Sequence, residues 1–569
     1  MKIAREKPDR MAWAGAIAGL LATGTAHAFP VTDPSNPAIV TEAPEPTESD
    51  LRHQLQMSPG FTAAAAERAW TIVPSISLGE IFTDNVLNTP INRRSDLLTV
   101  LTPGISITGD TPRAQVQFSY GPQFLLAART PEENRVTQQL LGTGLFTVVP
   151  DEVFVDVRAV AGGAPIGSGF AALSPGLNQS VGTSGTSVGT NSLGTAGLSK
   201  QNLVQTTSTS IAPYWLHPFS DIGTAKIGYQ FNQSSFSQGN SFFPLFYPTG
   251  SNTVRSVTNE GIAQFETGER FAPFRDLVVA DALIGNGNGF EGDSAQYTFV
   301  NRLGYQIAQQ VGVFAELGYE NLRFDGTPTT RINDAIWGIG TTYTPNPDSR
   351  ITVGYGHRYG QNAVQVDGSY AVTARTRVSA SYLTGLQTDL QSISSQLDLA
   401  SLTSTGQAVD AQTGAPLFIG TGGLGVQAGL FRTKALTMSA STTWDRDQVS
   451  LSLQWSQNTT VSTVAPNTVV PFGIPAPPVG STSRGTTIYA SWVHQLSDVL
   501  TLSSGAAYGT SRGFGTGDEQ SVSASVGIQY LLTETWTTYA RYSYFNQVSS
   551  TPGVGYYQNL VLVGVTKTF

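Results

Sequence analysis

The chain has 569 residues, 60 glycines, no cysteine and 12% charged side chains, with a formal charge of −9 and a pI near 5.1. The lack of cysteine excludes a disulfide scaffold, a thiolate metal site and a Cys nucleophile, and the acidic balance argues against a nucleic-acid partner. Charge this sparse, beside abundant Gly, Ser and Thr, fits a large β protein rather than a helical one, in which about a quarter of residues are charged.

Residues 1–28 read as a signal peptide. Lys2, Arg5, Lys7 and Arg10 form a basic start, Met11 to Thr23 is an apolar stretch too short to span a bilayer, and Ala26-His27-Ala28 supplies an A-x-A site. Cleavage is therefore expected after Ala28. It removes four bases and two acids and moves the formal charge from −9 to −11. An exported, cysteine-free chain suits the envelope of a Gram-negative bacterium. No run of ~18 apolar residues follows, so no helical membrane span is expected.

Residues 29–68 interleave proline with acid, from Pro30 and Asp33 to Glu48 and Asp50. Such a composition cannot bury a core and reads as a flexible periplasmic arm. Inside it, Ala38-Ile39-Val40-Thr41-Glu42-Ala43 faintly resembles the energy-coupling box of TonB-dependent receptors. The plug domain that follows the box in those receptors has no room here before the first strand.

From Trp70 onward the dominant period is two. Val522, Ala524, Val526, Ile528, Tyr530 and Leu532 point one way, and Ser521, Ser523, Ser525, Gly527 and Gln529 the other. Val449, Leu451, Leu453 and Trp455 likewise oppose Ser450, Ser452, Gln454 and Ser456. Alternation at 180° per residue marks a strand with one apolar and one polar face. Segments of ~9–11 residues with aromatic ends suit the membrane form of that strand. About 22 such segments can be counted, within a range of 18–24, and those near 256–267 and 363–372 are the weakest. Long connections such as 162–201, 233–254, 385–431 and 457–483 alternate with tight turns at Asp110-Thr111-Pro112, Asn346-Pro347-Asp348 and Ser497-Asp498. The expected fold is an all-β, transmembrane, up-and-down antiparallel barrel over 69–569, with short periplasmic turns and long extracellular loops. The loops at 162–201 and 385–431 are read as surface excursions in preference to inward constrictions of the lumen.

If the apolar files face lipid, Arg113, Asp156, Arg158, Lys226, Glu260, Glu266, Asp281, Arg302, Glu316, Glu320, Arg358, Asp367 and Arg541 fall on the inward files. A wall of nearly balanced charge selects weakly between anions and cations and admits neutral hydrated solutes. Trp215, Trp444, Trp455, Trp492 and Trp536 are candidates for an interfacial girdle. Trp215-Leu216-His217 parallels Trp492-Val493-His494, each before a tight turn. The girdle is the preferred reading of that repeat over a functional pair of histidines. Asp84-Asn85 reads as turn chemistry rather than a cation chelate. No metal, cofactor or catalytic motif emerges. His357 beside Arg358 and Tyr359 is the first suspect should the barrel carry an enzyme site.

The chain ends on Phe569, with Val565, Val563 and Val561 on the same face and Lys567 as the departure. This ending resembles the C-terminal signature that the barrel assembly machinery reads, which makes Phe569 the expected assembly signal. Pro74 to Leu78, Phe82-Thr83-Asp84-Asn85-Val86, Ser95-Asp96, Thr102-Pro103-Gly104-Ile105 and Phe118-Ser119-Tyr120 resemble the opening hairpins of the outer-membrane β-barrel porins associated with exopolysaccharide export and exosortase systems. The resemblance implies a channel of the outer membrane linked to exopolysaccharide export, with outer-membrane lipid and periplasmic polysaccharide-export components as partners. A general diffusion porin, and an envelope structural or adhesion barrel without transport, are the alternatives. The oligomeric state is not legible.

Overall fold

The computed structural model describes residues 69–166, 197–237, 253–288, 291–398, 400–402, 408–410, 424–464, 470, 474, 476–514 and 517–569. The signal peptide, the arm at 29–68 with its Ala38–Ala43 box, His53, and most of the 162–201 loop lie outside them.

The described body is a closed 22-strand antiparallel barrel. Its strands are β1 (Trp70–Thr83), β2 (Asp96–Thr111), β3 (Ala114–Tyr120, resumed as Gln123–Ala127), β4 (Arg135–Thr137, resumed as Leu140–Val149) and β5 (Val153–Pro165). Next come β6 (Leu203–Pro218), β7 (Gly223–Ser237), β8 (Thr253–Thr267), β9 (Phe274–Gly287), β10 (Ser294–Ala308) and β11 (Val311–Phe324). They are followed by β12 (Thr330–Asn346), β13 (Ser349–Arg358), β14 (Gln361–Thr373), β15 (Thr376–Gln387) and β16 (Leu430–Thr443). The last are β17 (Asp447–Ser462), β18 (Thr482–Ser497), β19 (Leu500–Phe514), β20 (Gly517–Thr533), β21 (Trp536–Ser549) and β22 (Tyr556–Thr568). Each strand pairs with its neighbours in sequence, and β1 closes on β22 from Ser75↔Thr568 to Thr83↔Leu560. Every strand start expected from the period-two pattern lies within four residues of an observed one, the two weakest segments included.

Alternation decides which side chains meet lipid. On β20, Val522, Val526, Ile528, Tyr530 and Leu532 are exposed on the outside while Ser521 is buried within. On β11, Leu317 and Tyr319 point out, and Phe314 and Glu320 point in. The closed ladder leaves no strand edge unpaired, which is what a hydrocarbon environment requires.

Two connections on the loop side depart from the long/short alternation. β13 and β14 are joined by Tyr359 and Gly360 alone, and β19 and β20 by residues 515–516. Tyr359 (φ 55°) and Gly360 (φ 67°) both adopt the left-handed conformation that a two-residue primed turn needs. This hairpin leaves a low place in the rim. On the same loop side, Thr327, between β11 and β12, pairs with Thr463, after β17. The two exchange backbone hydrogen bonds of 2.9 and 3.1 Å.

The long connection between β15 and β16 corrects the reading of a surface excursion. It turns inward, beginning with α1 (Asp389–Asp398) and continuing into a small antiparallel ladder of Ala400–Leu402 with Ala408–Asp410. Leu390, Ile393 and Leu397 lie on one face of α1, at the i, i+3, i+7 spacing of an amphipathic helix. They pack with Val426 and Ala428 against Leu141, Val160, Val204, Phe236 and Val254 on the inner wall of β4–β8. Leu424, from the same loop, is also buried, while Leu417, Phe418 and Ile419 fall outside the described residues. Water would solvate that helix face on the outer surface. Inside, each buried side chain contributes ~1.5–3 kcal/mol.

Candidate functional site: the lumen and its inward helix

Sequence alone seats the start of α1. Thr388-Asp389-Leu390-Gln391 is a capping box: the Gln391 N–H donates to Thr388 Oγ1 at 3.3 Å, and the Thr388 N–H donates to Gln391 Oε1 at 3.2 Å. Thr388 Oγ1 also donates to Glu291 Oε2 at 2.5 Å, which ties the helix to the β9–β10 connection. Asp389 Oδ2 accepts from the Gln427 N–H at 2.7 Å, which holds the returning strand of the loop.

The other end of α1 rests on Arg158. Its guanidinium pairs with Asp156 at 2.8 Å. It also donates to the carbonyls of Leu397 at 3.2 Å, of Asp398, and of Ala400 at 2.7 Å. A cation at the C-terminal carbonyls complements the helix dipole and fills acceptors that the helix leaves open. Gln230 adds a bond from Nε2 to Asp398 Oδ1 at 2.9 Å. The inner helix is thus held by an apolar face and by polar contacts at both ends.

Two of these anchors titrate outside the membrane-spanning strands. Burial pushes the Glu291 carboxyl up to about 8 and the Asp389 carboxyl to about 7, from ordinary values of 4.5 and 3.8. The seated helix therefore favours their protonated forms. That contribution is complete below their ordinary values and is lost as pH rises through about 7 and then about 8. Amide exchange in α1, corrected for its intrinsic pH dependence, is expected to speed up between pH 5 and 9. Glu291→Gln with Asp389→Asn should flatten the profile; an unchanged slope in that variant would count against the assignment.

Twelve of the thirteen charged candidates sit on inward files. Asp156, Arg158, Lys226, Glu260, Glu266, Asp281, Arg302 and Glu320 are buried, and Glu316, Arg358, Asp367 and Arg541 are partly so. Arg302 meets Glu316 from Nε at 2.6 Å and lies over the Phe314 ring at 4.3 Å. Lys226 lies over Tyr214 at 4.7 Å, and Glu320 accepts from the Gly360 N–H at 3.2 Å. The thirteenth, Arg113, is corrected. β3 begins one residue later, so Arg113 is exposed in the tight turn after β2 rather than on the wall.

The tryptophans face outward. Trp215 stacks on His217 (5.3 Å, 10°), and Trp492 stacks on His494 (5.5 Å, 26°). Each histidine has a carboxylate partner, Glu152 at 3.3 Å and Asp447 at 2.8 Å. Trp536 carries the Lys567 ammonium over its ring at 5.2 Å, which gives the odd lysine of the last strand an interfacial seat. Trp444 is exposed in the turn after β16. Trp455 lies along β17, stacked on Tyr382 at 6.5 Å.

A third Trp–His stack was not legible. Trp337 meets His357 across the β12–β13 ladder (6.5 Å, 15°), where no local motif marks it. His357 Nδ1 faces Asn362 at 2.6 Å and Nε2 faces Asp334 at 2.9 Å. Asp84 and Asn85 serve the chain itself: Asp84 accepts from the Asn559 N–H at 2.8 Å, and Asn85 Oδ1 from the Thr89 N–H at 3.1 Å. Among the described residues, no cluster of three or more His, Asp or Glu is placed to hold a metal ion.

Residues 432–569 match the family described as "Putative beta-barrel porin 2". The match covers β16 to β22 and supports the β-barrel porin family that the opening hairpins resemble. No curated protein sequence matches the chain. Among solved structures, the apoprotein form of the FrpB iron transporter from Neisseria meningitidis (F5-1 variant) aligns with a TM-score of 0.46 and 10% identity, covering 91% of this chain and 83% of that one. The siderophore receptor PirA from Acinetobacter baumannii aligns with 0.42 and 9%, over 87% and 80%. A loop L8 deletion mutant of OmpT from Vibrio cholerae aligns with 0.27 and 10%, over 88% and 100%.

Proposed function

We propose that this outer-membrane β-barrel of porin-like fold passes a hydrophilic solute, and that the solute is an exopolysaccharide on its way out of the cell. The carrying observation is the seated inner helix. A 22-strand barrel is too wide for wall side chains alone to fill, and here a loop of the chain itself narrows it. The wall away from the helix carries uncharged hydrogen-bonding groups such as Thr437, Ser441, Ser450, Gln454, Ser523 and Ser525, partly exposed on the inward files. Such a surface exchanges hydroxyl contacts with a passing sugar chain without holding it by charge.

Local pairing of wall charges, as in Arg302–Glu316 and Asp156–Arg158, favours weak charge selection and so keeps general diffusion as the second reading. On the leading reading, the arm at 29–68 meets periplasmic export components, and Phe569, exposed at the end of β22, is the mark read by the assembly machinery. The test is a strain lacking the gene. Loss of secreted polymer, restored by the intact gene, is expected. Normal polymer secretion with lowered uptake of small solutes would leave general diffusion as the function.

A further inference from the structure

The outer face of the barrel carries a row of cations. On the adjacent strands β16 to β19, the residues set directly opposite one another are Lys434, Gln457, Arg484 and Arg512. All four lie at the loop end of their strands, on the same outward files as Met438, Leu453, Ile488 and Tyr508. With neighbouring strands ~4.8 Å apart, the row runs for about 14 Å across the wall. Arg484 Nε donates to Gln457 Oε1 at 3.0 Å. Among the described residues, Asp518 is the carboxylate that pairs with the row, 3.6 Å from Arg512 Nε and itself largely exposed. Three cations against one anion leave two net positive charges.

Like charges set directly opposite on a sheet repel and destabilise the pair. Arg484 and Arg512 are such a pair. A phosphate seated between them turns the repulsion into attraction, because each guanidinium fork binds two phosphate oxygens. Lys434 stands on the far side of Gln457, two strand spacings or ~9.6 Å from Arg484. The row thus offers two cationic places with an amide between them, which suits a headgroup that carries two phosphates on a hydroxyl-bearing spacer.

The residues beneath the row identify what carries the phosphates. Two residues along each strand toward the membrane come Leu436, Trp455, Thr486 and Thr510, and two further come Met438, Leu453, Ile488 and Tyr508. Trp455 and Tyr508 are amphipathic rings of the kind that mark a headgroup boundary, and Met438 and Ile488 are exposed to acyl chains. Cation, aromatic boundary and apolar surface follow one another in steps of ~6.6 Å along the strand. A free phosphate ion would use only the first of these layers, whereas a lipid uses all three.

We infer that the row of Lys434, Gln457, Arg484 and Arg512 binds the phosphates of a phosphorylated glycolipid in the outer leaflet, whose acyl chains lie along the files below. The inference rests on the outer-membrane setting of the barrel and is independent of what passes through the lumen.

The test uses the purified full-length protein, stripped of native lipid in detergent. Binding is read by native mass spectrometry and by the rise in Tm, with bisphosphorylated lipid A, its fully dephosphorylated form and inorganic phosphate as probes. The bisphosphorylated lipid should bind at least roughly tenfold more tightly than the dephosphorylated one and should raise Tm. Arg484→Gln with Arg512→Gln should raise the half-saturating concentration at least roughly tenfold and remove most of the Tm rise. Without lipid, that variant should melt no lower than wild type, because it has lost a repulsion. Arg323 and Arg331, opposed on β11 and β12, supply the control: Ala295 and Asp325 flank Arg323, and no third cation extends the pair on that side. Arg323→Gln with Arg331→Gln removes the same charge from the same rim and should bind as wild type does. Equal binding by wild type and the row variant, equal binding of the two lipids, or equal loss in both arginine variants overturns the site. Displacement of the lipid by inorganic phosphate at equal concentration also overturns it, in favour of a site for the free ion. Heat-modifiable mobility equal to wild type shows that each variant is folded. Should the row variant not fold, Lys434→Gln decides: binding weakened roughly fivefold supports the row, and unchanged binding overturns it.

Discussion

Excising residues 389–428 and joining Thr388 to Gly429 by a short turn is expected to raise single-channel conductance at least roughly twofold, because a constriction sets the resistance of a wide pore. The excision removes α1 and both strands of its small ladder from the lumen while leaving every barrel strand paired. It also uncovers Leu141, Val160, Val204, Phe236 and Val254 to water inside the barrel. At ~1.5–3 kcal/mol per side chain, resistance to heat in detergent should fall even as conductance rises. The two readouts move in opposite directions, which separates an opened pore from a damaged one. Conductance equal to that of the intact protein would mean that solute passes beside the helix rather than past it, and the constriction reading would be lost.

Arg158→Ala is the point substitution with the largest expected consequence. The side chain is nearly fully buried, holds Asp156, and donates to three carbonyls at the end of α1. Removing it leaves a buried carboxylate and helix-end acceptors without a partner, a loss of about 3–5 kcal/mol. At ~1.4 kcal/mol per tenfold, amide exchange across Ile393–Asp398 should accelerate by a factor of roughly 100 or more. Arg158→Lys should recover only part of the effect, because an ammonium cannot reproduce the planar fork of donors. Asp156→Ala in the same chain should restore some protection by removing the stranded charge. Unchanged exchange in Arg158→Ala would show that the apolar face alone seats the helix.

The strands were legible because each needs only period two, and lipid outside with water inside imposes that period over most of the chain. Even the segments at 256–267 and 363–372 followed it. The inner helix was not read, although its parts were present. Thr388-x-x-Gln391 is a capping box, and Leu390, Ile393 and Leu397 have helical spacing. Its docking surface was invisible for a physical reason. Val160, Val204, Phe236 and Val254 face inward, yet as apolar residues in a strand they look like the lipid-facing set. Arg113 was misplaced because a strand boundary one residue off moves a side chain from wall to turn. Trp337 and His357 meet through strand pairing, which joins residues 20 positions apart and leaves no local trace. The wall charges were assigned to the inward side by parity alone. Which of them meet one another depends on register, and register is a tertiary fact.

The three histidines in the described residues all sit on the outside of the cylinder, each against an indole ring and beside a carboxylate. A current that titrates with its midpoint near neutrality is ordinarily ascribed to imidazole. Here those rings are insulated from the aqueous path by the wall itself. The proton-sensitive groups tied to that path are the buried carboxylic acids at the head of the inner helix, which act on it through the seating of the helix. A histidine-directed reagent such as diethyl pyrocarbonate should therefore leave the acid–base response of the conducting route intact.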